Sequence, residues 1–100
     1  MTKKLAPVHP GEILSEDFLK PMHITAYAVA FGVGVPRTRI ERLVRQETAM
    51  TADTALRLAR FFDVSPAFWM NIQTQYDLEL AEDKAAPELA AITPHHHESA

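Results

Sequence analysis

The arginines of this sequence are concentrated in one segment, where their chemistry suits an anionic partner. All six lie between Arg37 and Arg60, a window with only three acids, whereas the chain from Asp63 onward has seven acids and one base. The formal net charge of −3 therefore averages a basic middle and an acidic end. The basic part could contact phosphate and the acidic part a basic protein, although a solvated arginine face without a partner explains the charge pattern equally well.

The segment that begins at Pro36 has helical spacing, and its outer side carries side chains suited to reading DNA bases. Arginine can donate two hydrogen bonds to guanine O6 and N7, and a threonine methyl group can contact thymine. Arg37 and Thr38 fall in the first turn, which penetrates a groove most deeply, while Arg39 lies on the flank nearer to phosphate. The predicted DNA-binding residues are Pro36, Arg37, Thr38, Arg39, Arg42 and Arg45, with Pro36 assigned a structural role first.

Three small or apolar residues must position this helix against the preceding one. Ala30 is small where the two helices cross, Gly34 can take the positive φ of a sharp turn, and Ile40 anchors the second helix in the core. This spacing predicts a helix-turn-helix, whose second helix enters the major groove N-terminus first. An ordinary helical hairpin with a solvated face is the alternative, and the basic outer face makes DNA recognition the interpretation we favour.

The apolar periodicity along the chain predicts five helices and shows no strand alternation. Thr25, Thr51 and Ser65 are the expected N-caps of the second, fourth and fifth helices. The predicted helices run from Pro10 to Pro21, Ala26 to about Gly32, Pro36 to about Arg45 or Gln46, from the residue after Thr51 to Phe62, and Pro66 to about Ala81. In the fourth helix, Ala55, Leu56, Ala59 and Phe62 are expected to face inward. We therefore expect an all-α domain over residues 9–82, with a loose arm at 1–8 and a flexible tail at 83–100, in which a short helix near Pro87–Ile92 stays open.

Several classes of function are excluded or disfavoured by composition. The chain has no cysteine, which excludes disulfides, thiolate metal sites and cysteine nucleophiles and agrees with a cytoplasmic location. No apolar run has the length of a signal peptide or a membrane span. No catalytic constellation appears, so we expect neither an enzyme nor a cofactor. Three consecutive histidines, His95–His97, lack a fixed geometry and are expected to bind metal only adventitiously.

Four separated motifs, in the same order, resemble the HigA family of antitoxins within the XRE, or Cro/C1-type, helix-turn-helix group. The motifs are His9–Leu14, Val35–Ile40, Thr51–Phe62, and Ser65–Trp69 followed by Asn71, Gln73, Tyr76, Asp77 and Leu78. The resemblance covers roughly residues 8–82 and implies a lambda repressor-like five-helix domain. It also implies a homodimer that binds a palindromic operator in double-stranded DNA, represses its own operon and neutralises a HigB-type mRNA-cleaving toxin. The dimer contacts would involve the last helix at Phe68, Trp69, Ile72, Tyr76 and Leu80.

The sequence departs from the family pattern at two turns. His23 stands where the family usually has glycine, and histidine tolerates the left-handed region better than most residues. After the third helix, Gln46 and Glu47 begin a loop that is Gly-Lys-Arg-like in the family, so DNA affinity or the operator sequence should differ. Two other functions therefore stay open, namely a solitary transcriptional regulator without a toxin and a protein-interaction module that has lost DNA binding.

Overall fold

The computed structural model describes residues 6–96, which form five helices and contain no strand. The predicted all-α, five-helix fold is confirmed. Helix α1 is a continuous rod made of an α-helical turn at Pro10–Ile13, a π-helical segment at Leu14–Leu19 and a last turn at Lys20–Met22. The others are α2 (Ala26–Val33), α3 (Arg37–Val44), α4 (Ala52–Phe62) and α5 (Pro66–Ala90).

Helix α1 does not stop at Pro21, as the sequence predicted. It continues to Met22 and ends at His23, which has the left-handed angles φ 53° and ψ 42°. A proline ring in a regular α-helix clashes with the carbonyl four residues earlier, and here a wider π-helical segment immediately precedes the last turn. The expectation that His23 can replace a glycine in this turn is met.

The turn between α2 and α3 has the predicted geometry. Thr25 caps α2, its Oγ1 accepting a hydrogen bond from the Ala28 N–H at 3.0 Å. Gly34 follows α2 with φ 74°, a conformation that glycine adopts without the steric cost of a side chain. Pro36 is the residue before α3 rather than its first residue, so α3 begins at Arg37, one position later than predicted.

The core lies among all five helices and includes Leu14, Val29, Ile40, Leu58 and Trp69, all fully buried. Helix α4 turns a different leucine inward from the one predicted: Leu58 is buried, whereas Leu56 is 58% exposed. The inner stripe of α4 is Ala55, Leu58, Ala59 and Phe62, which recur at the three- and four-residue steps of one helix face. Leu56 is one step from Ala55, about 100° around the helix, and so falls outside this stripe.

Helix α5 extends past the predicted boundary at residue 82 and ends at Ala90, so residues 83–90 are helical rather than part of a loose tail. Most of these residues are exposed, as the fading apolar period predicted, yet several are alanines, which have the highest helix propensity. No helix within residues 6–96 is both long and apolar enough to cross a membrane.

Candidate nucleic-acid interface

The N-terminal end of α3 presents exposed polar side chains and open backbone N–H groups. Arg37 and Thr38, in the first turn, are both exposed, and the Arg37 side chain retains 60% of its accessible surface. Pro36 provides no side-chain hydrogen bond to the first turn of this helix. Because the N-terminus of a helix has partial positive charge and unpaired N–H groups, this end can bind an anion such as phosphate.

A groove of about 510 Å³ runs from this end of α3 to the N-terminus of α4. Its walls include four of the predicted DNA-binding residues, Pro36, Thr38, Arg39 and Arg42. The opposite wall is formed by Thr48, Ala49, Thr51, Asp53 and Thr54. Two helix N-termini therefore border one concave, partly basic surface. Arg37 and Arg45 are exposed on α3 and at its C-terminal end but do not line this groove.

Arg37 is held loosely on the outer side of α3. Its Nε lies 3.5 Å from Glu41 Oε2, and its guanidinium is 6.0 Å from the centre of the Tyr27 ring. Both contacts are exposed, so each stabilises the side chain only weakly. Arg37 can therefore exchange these partners for a base or a phosphate at small cost.

Asp53 holds two arginines at the base of the helix-turn-helix. Its Oδ2 accepts a hydrogen bond from Arg39 Nη1 at 2.7 Å and another from Arg57 Nε at 2.9 Å. Arg57 in turn donates to the Val33 carbonyl oxygen at 2.7 Å, next to the Gly34 turn. The hydrogen bonds from Arg39 and then Arg57 hold the pKa of Asp53 below its ordinary value.

This arrangement changes the expectation for Arg39. The Asp53–Arg57 pair follows from their four-residue spacing in α4, but the Arg39–Asp53 contact joins two helices and no local pattern signals it. On the flank of α3, Arg39 is consequently in an ion pair with Asp53. It remains half-exposed, within reach of an external phosphate.

Glu47 occupies the other end of α3 and contacts the two remaining predicted DNA-binding arginines. Its carboxylate lies 3.1 Å from Arg45 Nε and 3.8 Å from Arg42 Nε. Gln46, where the family favours glycine, has the left-handed φ of 63°. The loop thus keeps the left-handed backbone turn that glycine would make. In place of the basic residues of the family pattern it has Glu47, whose negative charge offsets the positive charges of Arg42 and Arg45.

Buried polar groups fix the loop that follows α3. Gln73, 5% exposed on α5, accepts a hydrogen bond from the Met50 N–H at 2.6 Å and donates to Asp77 at 2.9 Å. This bond attaches the loop after α3 to the last helix. The sequence marks Gln73 and Asp77 only as motif residues, but Gln73 is a polar residue on the apolar side of α5, and a buried polar group of this kind indicates a hydrogen-bond partner.

His9 connects the start of α1 to the same loop. It is 3% exposed, and its Nδ1 accepts a hydrogen bond from the Gly11 N–H at 2.9 Å. Its ring also hydrogen-bonds to the backbone of Thr48 and meets the Tyr76 ring edge-to-face at 4.9 Å. Burial lowers the pKa of His9, and the bond at Thr48 and the charge of Asp77 oppose this shift.

The residues predicted at a dimer interface separate into two groups. Phe68 and Leu80 are 38% and 45% exposed, and Ile72 and Tyr76 are partly buried, so these four can contact a second copy. Trp69 cannot, because it is fully buried within the chain, where its ring lies 5.0 Å from that of Phe18. The assignment of Trp69 to the interface was wrong because helical spacing does not distinguish the core side of α5 from its neighbouring face.

Residues 6–96 contain no group of three or more histidine, aspartate or glutamate side chains that could hold a metal ion. Of the three consecutive histidines, His97 lies outside the described residues.

Comparisons with known proteins agree with this geometry. A profile of the helix-turn-helix family matches residues 16–69. The chain is similar to virulence-associated protein I of Dichelobacter nodosus, with 48% identity over 79% of this chain and 73% of the relative. It is also similar to antitoxin HigA-1 of Vibrio cholerae, with 36% identity over 91% of this chain and 86% of the relative. Among solved structures it is similar to the Pseudomonas aeruginosa antitoxin HigA with the higBA promoter, at 38% identity, a TM-score of 0.84, and coverage of 88% of this chain and 97% of that chain.

Proposed function

Because the chain belongs to the HigA family of helix-turn-helix antitoxins, we propose that it binds its own promoter DNA in a sequence-specific manner and represses its operon. The observation that supports this most directly is the exposed first turn of α3, where Arg37 and Thr38 stand beside unpaired helix N–H groups. The Pseudomonas aeruginosa relative, similar over almost its whole length, has been solved with its promoter.

In the proposed complex, α3 enters the major groove with its N-terminus first. Arg37 and Thr38 contact base edges, while Arg39, Arg42 and Arg45 contact phosphates and set the depth and register of the helix. The N-termini of α3 and α4, which border the groove, supply further N–H donors for the phosphates of the DNA backbone. Binding then needs no cofactor and no catalytic step.

We propose that the active form is a homodimer on a palindromic operator. The two α3 helices of a dimer would read half-sites about 34 Å apart, one turn of B-form DNA. The exposed apolar residues Phe68 and Leu80 on α5 supply a contact surface for the second copy. The complete antitoxin function would add binding and neutralisation of a HigB-type toxin in the cytoplasm, for which the acidic C-terminal third offers complementarity to a basic protein.

A mobility-shift experiment tests the DNA-binding proposal. The purified chain is titrated into its own upstream promoter DNA across a salt series, with a scrambled duplex as competitor. Saturable binding that is selective for the promoter and weakens with salt supports the proposal, because phosphate contacts release counterions. Absence of selectivity at low salt would contradict operator binding by the free protein.

A solitary regulator without a toxin is the second candidate. A relative from Haemophilus influenzae, 36% identical over 99% of this chain and 94% of its own length, carries a name that describes a helix-turn-helix transcriptional regulator and no toxin partner. The DNA chemistry would be the same in both cases. A neighbouring gene for a small basic ribonuclease, and co-purification of its product with this chain, would separate them in favour of the antitoxin.

A further inference from the structure

The backbone holds Glu47 in a fixed place at the end of α3. The Glu47 N–H donates to the Arg42 carbonyl oxygen at 2.9 Å, and the Gln46 N–H donates to that of Leu43 at 2.9 Å. Together with the left-handed Gln46, these bonds form the paired closure typical of a helix C-terminus. Glu47 therefore follows α3 rigidly, and its carboxylate stays near whatever α3 approaches.

A carboxylate is electrostatically unfavourable at this position unless cations compensate it. The C-terminus of a helix has partial negative charge, which repels an acid. Arg45 supplies the main compensation through its Nε, at 3.1 Å, and its Nη2, at 3.5 Å, while Arg42 Nε lies 3.8 Å away. The three side chains are about half-exposed, so water and external anions can reach both arginines.

We infer that Glu47 is an intramolecular competitor of DNA phosphate for Arg42 and Arg45, an inference that rests on the proposed DNA binding. A phosphate that binds the Nε side of Arg45 must displace the Glu47 carboxylate. A phosphate that binds Arg42 meets the repulsion of the same carboxylate, 3.8 Å from the Arg42 Nε. Glu47 thus weakens the sequence-independent part of DNA binding. It leaves Arg37 and Thr38, at the other end of α3, to read the sequence.

The expected size of the effect follows from the exposure of the ion pairs. Exposed pairs contribute about 0.2–1 kcal/mol, which corresponds to a factor of about 1.4 to 5 in affinity. Substitution of Glu47 by glutamine should therefore strengthen DNA binding by about 1.4- to fivefold. The slope of log affinity against log salt should steepen by up to about 0.9 for each additional phosphate neutralised.

The experiment compares E47Q with E88Q, which makes the same change in net charge at an exposed position near the end of α5. Both variants and the parent protein are titrated into promoter DNA and into a scrambled duplex across a salt series. E47Q should raise affinity for both duplexes by the same factor and steepen the salt slope, while E88Q stays close to the parent. In an R42Q/R45Q background, E47Q should lose its effect, because the arginines that it releases are gone.

The outcomes separate this inference from the proposed function. If the parent binds the promoter selectively and E47Q matches E88Q, competition by Glu47 is refuted while operator binding stands. If E47Q weakens binding to the promoter alone, Glu47 contacts a base, for example by accepting from cytosine N4, and the inference is again refuted. If neither the parent nor E47Q binds the promoter selectively, the proposed function is contradicted. The inference is then contradicted as well, because it rests on that function.

Discussion

Arg37 is the residue whose removal should change sequence preference most, because it lies in the first turn of α3 with only weak contacts, to Glu41 and Tyr27. The substitution Arg37→Ala should weaken promoter binding by about 1–3 kcal/mol and affect a scrambled duplex much less. Arg45→Ala is the matched control, since a phosphate contact should weaken both duplexes equally. Competition mobility shifts measure the two ratios. An unchanged promoter-to-scrambled ratio in R37A would contradict base reading by Arg37.

His9 makes the stability of the fold sensitive to mild acid. Its Nδ1 accepts a hydrogen bond in the neutral form, and burial lowers its pKa below the ordinary value of about 6.5. The unfolded chain therefore binds a proton at a higher pH than the folded chain does. The stabilisation from neutral His9 is complete above about pH 6.5 and decreases as the pH falls from there toward the folded-state pKa.

The comparison of the parent with His9→Asn tests this pH dependence. Asparagine can still cap α1 but does not titrate. Between pH 7.5 and 5.5, the unfolding temperature should fall more steeply for the parent than for H9N, because all other titrating groups are common to both. Parallel curves would show that His9 does not contribute to the acid sensitivity.

At the scale of elements, the helix ends marked by a capping threonine or a glycine were more predictable than the contacts between helices. Thr25, Gly34 and Thr51 act on neighbours within four residues, so the sequence alone locates the helices that they begin or end. The pair Arg39–Asp53 joins two helices and depends on how they pack, so no short pattern contains it. The exchange of Leu56 for Leu58 has a different, local origin, since the three- and four-residue steps from Ala55 reach Leu58 and not Leu56.

The packing of α1 on α3 depends on Gly11. A Cβ at this position would overlap the carbonyl oxygen of Leu43, which is backbone and cannot move aside. Gly11→Ala should therefore destabilise the fold by about 1–3 kcal/mol through overpacking, measured by chemical denaturation.

Gly32→Ala is the control for this prediction. A Cβ at Gly32 would meet the ring of Phe61, a side chain that is 38% exposed and can rotate aside more easily than backbone can move. Because alanine is favoured over glycine by about 1 kcal/mol inside a helix, this variant should match the parent or exceed it in stability. Equal losses in G11A and G32A would show that the close approach of α1 and α3 is not what Gly11 permits.

At the scale of the whole molecule, the last helix connects the surface proposed for dimerisation to the surface proposed for DNA. Gln73 on α5 holds the backbone of Met50, and Tyr76 on α5 contacts His9, which bonds to Thr48. The loop after α3 therefore takes its position from α5. A second copy bound to α5 would consequently fix the spacing of two α3 helices through short, buried contacts.

The dimer proposal can be tested on α5 with two leucines of nearly equal exposure. Leu80, 45% exposed, belongs to the predicted interface, whereas Leu89, 47% exposed, lies beyond it. Leu80→Asp should convert the dimer to a monomer in sedimentation equilibrium, because a charge would be buried without a partner. The monomer should bind a palindromic promoter more weakly by a factor of ten or more, on the order of the avidity that a second linked half-site provides. Leu89→Asp should leave both the mass and the affinity of the parent unchanged, and a dimer that survives L80D would place the interface on another face of the chain.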